Sequence, residues 1–151
     1  VKVKDFNHII NQYFKQHARD YQFEQLNGMI KGFIDLMFEF EGKFYVADYK
    51  SNHLGYNLKD YAPGDLSQAI IDRRYDLQYL IYSIALHRYL ATRITDYKYE
   101  THFGGVYYLF IRAMRPEFGS TYGVFFELPN YEHICALEKL LILPLDAGSL
   151  A

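Results

Sequence analysis

Gly32-Phe-Ile-Asp35-Leu-Met-Phe-Glu-Phe-Glu-Gly42-Lys-Phe-Tyr-Val-Ala-Asp48-Tyr-Lys50-Ser51 is the stretch whose reading decides the fold of this chain. Two runs rich in aromatic and β-branched residues flank Glu41-Gly42, and a glycine there suits the positive φ of a two-residue hairpin turn. With that turn Phe40 pairs with Lys43, and counting outward sets Asp35 opposite Asp48. Side chains alternate faces with period two, so Lys50 shares the face of the two aspartates. Opposed carboxylates destabilise a sheet unless something cancels them, and a divalent cation does so directly. The hairpin thus predicts a metal site with Asp35 and Asp48 as ligands, the carbonyl of Tyr49 as a candidate third oxygen, and Lys50 beside them. A D-x-K triplet alone is common, and a Lys–Asp pair in water is worth little. The weight lies in the combination of an Asp within an apolar run, a second Asp opposite it and a Lys on the same face.

The chain has 151 residues, half of them hydrophobic, which predicts one compact domain over 1–151. No apolar run reaches membrane-spanning length, and there is no basic-then-apolar leader. The single cysteine, Cys135, excludes an internal disulfide framework and any multi-cysteine zinc or iron–sulfur site, which predicts a soluble protein of the reducing cytoplasm. Net charge is −2, unusual for a free-standing nucleic-acid binder, because phosphate affinity comes mainly from Lys and Arg. Either nucleic acid is not the partner or another domain delivers it. The absence of an initiator Met at Val1 suggests a fragment of something longer.

Taken in order, Asp5 to Ala18 has Phe6, Ile9, Ile10, Tyr13 and Phe14 at helical spacing, with Asp5 placed as the cap. His8 and His17 in it read as surface or cap-adjacent residues. From Tyr21 an alternating pattern suits a strand, with Gly28 and Gly32 marking a bulge or turn before the hairpin. Residues 51–64 read as an exposed loop longer than a simple connection needs. Asp65 with Gln68 gives a capping-box signature for the next helix, which runs to about Thr92 either continuously or with a break near Arg73-Arg74-Tyr75 and Asp76 as a second cap. Gly104-Gly105 introduces the apolar run Val106–Ile111, a doubly buried strand, and Tyr122–Phe126 is its hairpin partner. Asn130 caps a last helix to Leu141, and the segment from Pro144 onward reads as a frayed tail. The order predicts an α/β fold with a mixed β-sheet flanked by helices, since a strand–helix–strand crossover normally returns parallel.

Magnesium takes few protein oxygens and retains waters together with phosphate oxygens of a substrate, so this donor set suits phosphodiester cleavage. Lys50 would orient the attacking water and stabilise the negative charge that builds on the phosphate. Gln78 and Tyr82, four residues apart, share one helical face rotated away from the Leu77, Leu80, Ile81, Ile84 stripe. Without further support, ordinary packing for Tyr82 and exposure for Gln78 are even odds.

Gly28-Met-Ile-Lys-Gly-Phe-Ile-Asp-Leu36, Tyr45-Val-Ala-Asp-Tyr-Lys-Ser-Asn52 and Arg74-Tyr-Asp-Leu-Gln-Tyr-Leu-Ile-Tyr-Ser-Ile-Ala-Leu-His-Arg-Tyr-Leu90 together resemble the C-terminal nuclease domains of RecB (beta) subunits of bacterial exodeoxyribonuclease V. These belong to the wider PD-(D/E)xK nuclease superfamily. The resemblance runs from Gly28 through Phe103–Phe110 and is far more specific than D-x-K. It implies a restriction-endonuclease-like core and a Mg2+-dependent DNA nuclease, with Asp35 and Asp48 as metal ligands and Lys50 as the catalytic lysine. It also implies that Gln78 and Tyr82 form the Q-x-x-x-Y motif that shapes the site and contacts the DNA strand. Implied partners are single-stranded DNA emerging from a helicase, the other exodeoxyribonuclease V subunits and a strand-exchange recombinase. The alternative it permits is a protein-docking module of the recombination complex that positions the recombinase. A stand-alone restriction-type endonuclease is weaker, because 151 residues leave no target-recognition region.

The family has an upstream helix that supplies a further ligand, a histidine, and nothing before Tyr21 matches that segment. The expectation is a fragment that lacks the first core helix, binds metal weakly and cleaves slowly. His53, His87 and His102 read as surface or strand-end residues, although His53 follows Lys50 closely enough to approach a phosphate. Arg73, Arg74, Arg88 and Arg93 read as an exposed charged face before they read as DNA contacts. Most of the 16 tyrosines read as packing residues before they read as stacking platforms.

Overall fold

The computed structural model describes residues 3–13 and 33–142, which fall into two units: Gly32–Pro129, and the terminal segments up to Lys31 and from Asn130. The second unit contributes helix α1 (Val3–Tyr13) and helix α5 (Tyr131–Ile142), which pack on each other. Asn130 caps α5 as expected, its Oδ1 accepting the Glu132 amide at 2.8 Å. The expected continuation of α1 to Ala18, the strand from Tyr21, the turn glycines Gly28 and Gly32, and the tail from Pro144 lie outside the described residues.

The larger unit is built on the hairpin. Strand β1 is Leu36–Phe40 and strand β2 is Lys43–Lys50, antiparallel with Phe40 opposite Lys43 and Leu36 opposite Ala47. Glu41 and Gly42 both have positive φ, 51° and 77°, the backbone of a two-residue turn whose twist matches the flanking strands. The chain then passes through a 3-10 turn at Leu58–Tyr61 into helices α2 (Pro63–Asp72) and α3 (Tyr75–Arg93), a short helix α4 (Tyr99–His102), and strand β3 (Phe103–Phe110). Strand β3 lies parallel to β2, as a crossover through helices requires, and β4 (Val124–Glu127) pairs antiparallel with β3. The sheet order β1-β2-β3-β4 makes it mixed, and the fold is the α/β arrangement expected of a restriction-endonuclease-like core.

Three expected helix starts are corrected. Helix α1 already includes Val3 and Lys4, so Asp5 lies inside it rather than at its N-cap. Helix α2 begins at Pro63 with Ala62 as its N-cap, because proline's fixed φ and missing N–H suit the first turn; Asp65 lies inside and caps nothing. The break at Arg73-Arg74 is real: Arg74 has φ 62° and is itself the N-cap of α3, so Asp76 sits in the first turn, buried. Strand β3 starts three residues before the expected Val106. A β-bulge between Phe44 and Tyr45 lets its glycines in: a Cβ on Gly104 would strike the Tyr45 ring, and Gly105 has φ 132°. His87 is buried rather than exposed, with Nδ1 3.0 Å from Tyr97 Oη.

Alternation sorts the faces of the sheet. Val46, Asp48 and Lys50 are buried together with Val106, Tyr108 and Phe110. On the other face Phe38, Tyr45, Tyr107 and Phe126 form a ladder of rings with centroids 4.8–5.9 Å apart from each neighbour to the next. One face is thus apolar and aromatic, and the other carries a pocket of polar groups within an apolar surround.

Candidate active site

Asp48 and Lys50 close the C-terminal end of β2 and are only 5 % and 8 % exposed, so burial demands partners for both. Lys50 Nζ lies 2.5 Å from Asp48 Oδ1 and donates to Gln78 Oε1 at 2.8 Å. Its remaining side meets two aromatic faces, with the Tyr75 ring centroid at 4.0 Å and the Tyr108 centroid at 4.6 Å. A desolvated ammonium over such faces gains about 2 kcal/mol. The ammonium is therefore held by an anion, an amide oxygen and two rings.

Gln78 and Tyr82 come together with this pair as their spacing on α3 predicts. Gln78 Nε2 donates to Tyr82 Oη at 2.8 Å, while the single Tyr82 hydroxyl proton faces the Phe33 carbonyl at 2.6 Å and Asp48 Oδ2 at 3.2 Å. Burial, followed by the neighbouring Asp48 carboxylate, pushes the Tyr82 phenol above its ordinary range, so it stays a donor at neutral pH. Gln78 is consequently fixed in one orientation, its oxygen toward Lys50 and its nitrogen toward Tyr82.

Tyr108 and Tyr75 complete the site and were not singled out from the sequence. Tyr108 is the register partner of Asp48 across the parallel strands. Its hydroxyl lies 3.0 Å from the Tyr75 carbonyl and 3.1 Å from Gln78 Oε1, and burial pushes its phenol upward in pKa as well. Tyr75 Oη donates to Asn52 Oδ1 at 2.9 Å, tying its ring to the loop that leaves β2. The signal was available: Tyr75, Gln78 and Tyr82 stand at i, i+3 and i+7, one stripe of a helix.

Asp35 sits one residue before β1, exposed, with Oδ2 accepting the Tyr49 amide at 2.9 Å. The observed register runs from Phe40 opposite Lys43 to Leu36 opposite Ala47, and Asp35 and Asp48 are the next residue on either strand. Tyr49 alternates outward and is half exposed. Among the described residues no cluster of three or more His, Cys, Asp or Glu could hold a metal ion. Asp35, Asp48 and the Tyr49 carbonyl are hard oxygen donors of the type that magnesium takes in small number. His53 lies elsewhere, edge-on to the Tyr56 ring, and His102 Nδ1 accepts the Lys98 amide.

No family model matches the chain. Among curated proteins it is similar to the RecBCD enzyme subunit RecB of Haemophilus influenzae, 46 % identical over 136 residues, which is 90 % of this chain and 11 % of that protein. The Escherichia coli subunit of the same name is 47 % identical over 119 residues, 79 % of this chain and 10 % of that protein. The Mycobacterium tuberculosis subunit is 40 % identical over 124 residues, 78 % of this chain and 11 % of that protein. The chain thus spans about a tenth of the length of these curated relatives, and its resemblance to RecB is borne out. No helix among the described residues is long and apolar enough to cross a membrane.

Proposed function

We propose, from the premise that this chain is a relative of RecB subunits over a tenth of their length, that it is the Mg2+-dependent DNA nuclease portion of an exodeoxyribonuclease V type enzyme. The observation that carries the reading is the closed network Asp48–Lys50–Gln78–Tyr82, four side chains from a strand and a helix locked around one buried ammonium. A purely structural Lys–Asp pair needs no such enclosure. Burying a charge is costly, and doing so beside an exposed second carboxylate suits a group that must meet phosphate in a fixed position.

In this reading Asp35 and Asp48, with the Tyr49 carbonyl, hold the magnesium ion. When bound, the ion supplies Lewis acidity toward a phosphate oxygen and lowers the pKa of its water. Lys50 places its positive charge where the phosphate gains negative charge. Gln78 and Tyr82 hold Lys50 and Asp48 in register with each other and line the path of the strand. The substrate is single-stranded DNA delivered by an attached helicase, in double-strand break repair and recombination in the cytoplasm, with the other subunits of the complex as partners.

The test is Mg2+-dependent cleavage of single-stranded DNA by the intact protein. Asp48→Ala or Lys50→Ala should lower it by at least about a hundredfold, the usual scale for a lost electrostatic stabiliser, with ATP-driven unwinding retained. Cleavage at the wild-type rate in either variant would sink the assignment. A second reading, a docking module for a strand-exchange protein, is favoured by the exposed apolar side chains Phe33, Met37 and Phe40, 88 %, 42 % and 59 % exposed. Recombinase capture without cleavage by the intact protein would favour it.

A further inference from the structure

Beyond the residues around Lys50, the larger unit holds a second place suited to an anion. A cavity of about 330 Å3 lies between the loop after β2 and the β3–β4 connection, lined by His53, Tyr56, Asn57, Arg112, Arg115 and Phe118 among others. That volume is at the lower end of the roughly 300–1,000 Å3 typical of small-ligand sites. No Asp or Glu is among its described lining residues, whereas a second cavity of about 400 Å3 is lined by Asp60, Asp65, Asp72 and Arg73 among others. In a chain of net charge −2 two guanidinium groups thus share one cavity wall, with the Asp60 carboxylate held behind the lining loop by the Asn57 amide.

The walls are fixed, and one feature is left bare. Arg112 Nε donates to the Ser51 carbonyl at 2.7 Å, so its guanidinium is anchored to the residue that follows Lys50. Arg115 packs over the Phe118 ring at 5.8 Å. The loop carrying Tyr56 is closed by the Asn57 amide on Asp60 Oδ2 and the Leu54 amide on Tyr61 Oη. On that firm loop the Tyr56 side chain is 97 % exposed, touched edge-on by His53 with ring centroids 4.7 Å apart. A bare ring beside two planar cation forks matches a flat base joined to a phosphate better than it matches a carboxylate side chain, which would leave the ring unused.

We propose that this cavity binds a nucleotide of the DNA strand flanking the scissile phosphate, its phosphate on Arg112 and Arg115 and its base stacked on Tyr56. The inference rests on the nuclease reading above, because the Arg112–Ser51 bond is what joins the cavity to the Lys50 site. It adds a second grip on the strand, one that acts on binding rather than on bond cleavage.

The test is photo-crosslinking of single-stranded DNA carrying 5-iododeoxyuridine to the intact protein, with the linked peptide mapped by mass spectrometry. A crosslink at Tyr56 is expected, retained in Tyr56→Phe and reduced about tenfold in Arg115→Glu, within the range that one stacked base and one phosphate contact contribute. The same Arg115→Glu protein should need more DNA to reach half its maximal cleavage rate, with that maximal rate little changed. Crosslinks confined to other peptides, or a Tyr56 crosslink indifferent to Arg115→Glu, would overturn the proposal. So would Arg115-dependent binding of a poly-glutamate peptide without a DNA crosslink, which would assign the cavity to a protein partner. Lys50→Ala separates the two readings. It should stop cleavage and leave the crosslink, and unchanged cleavage would overturn the nuclease reading whatever the crosslink shows.

Discussion

The two aspartates of the hairpin, each one residue beyond the Leu36–Ala47 pair, stand under opposite conditions. Asp48 is buried and surrounded by Lys50 and Tyr82; Asp35 stands in water at the start of β1, with the Tyr49 amide on one oxygen. The strands differ likewise, β2 burying Val46, Ala47, Asp48 and Lys50 and β1 exposed along most of its length. The site is thus half rigid and half accessible. The buried half fixes where charge sits, and the exposed half leaves a carboxylate that exchanges water for another ligand at small cost.

Stability measurements break that comparison most sharply. Asp48→Ala strands a buried ammonium, and removal of one partner from such a pair costs about 3–5 kcal/mol; Asp35→Ala should cost only about 1 kcal/mol, the scale of one hydrogen bond. Urea denaturation of the two variants checks this, and equal losses would mean the halves do not differ. The double variant Asp48→Leu with Lys50→Met should recover most of the Asp48→Ala loss, because an apolar pair of similar volume needs no desolvation.

Tyr82→Phe comes next, at about 1–2 kcal/mol, since it leaves the Phe33 carbonyl without its donor and unfastens Gln78. Its cleavage rate should fall with DNA affinity little changed, which steady-state kinetics separate. Tyr108→Phe keeps the ring under Lys50 and loses only a hydroxyl, so about 1 kcal/mol is expected by the same denaturation. The smallest effect concerns Glu127, opposite Val106 on β4, whose carboxyl burial pushes upward in pKa. A raised folded-state pKa gives a contribution that is complete below the unfolded Glu value, about 4.3, and is lost as pH rises through the folded value. Glu127→Gln should flatten that part of the pH profile of the denaturation midpoint.

Those buried and exposed halves were unequally legible in the sequence. The hairpin could be read because Glu41-Gly42 admits one tight turn, and one turn fixes every pair along it, out to Leu36 with Ala47. Gln78 and Tyr82 could be placed because four residues bring side chains together on any helix. Tyr108 was hidden in Val106–Ile111, where every residue is apolar or aromatic; only the parallel register with β2 sets it opposite Asp48. Asp65 misled because proline at the first turn outranked an acidic cap. His87 misled because a lone histidine carries no sign of the Tyr97 hydroxyl that receives it.

The parallel pairing of β2 with β3 also sets a timetable for synthesis. Asp48 and Lys50 leave the ribosome before Gln78 and Tyr82 on α3, and Tyr108 follows only near the end of β3. Until Phe110 has emerged and paired with Lys50, the lysine has neither its second ring nor its neighbouring strand. Such long-range closure is slow relative to helix and hairpin formation. In the nuclease reading, a nascent chain therefore has no competent cutting centre until β3 has emerged, and the capacity to damage DNA arrives together with the paired strands.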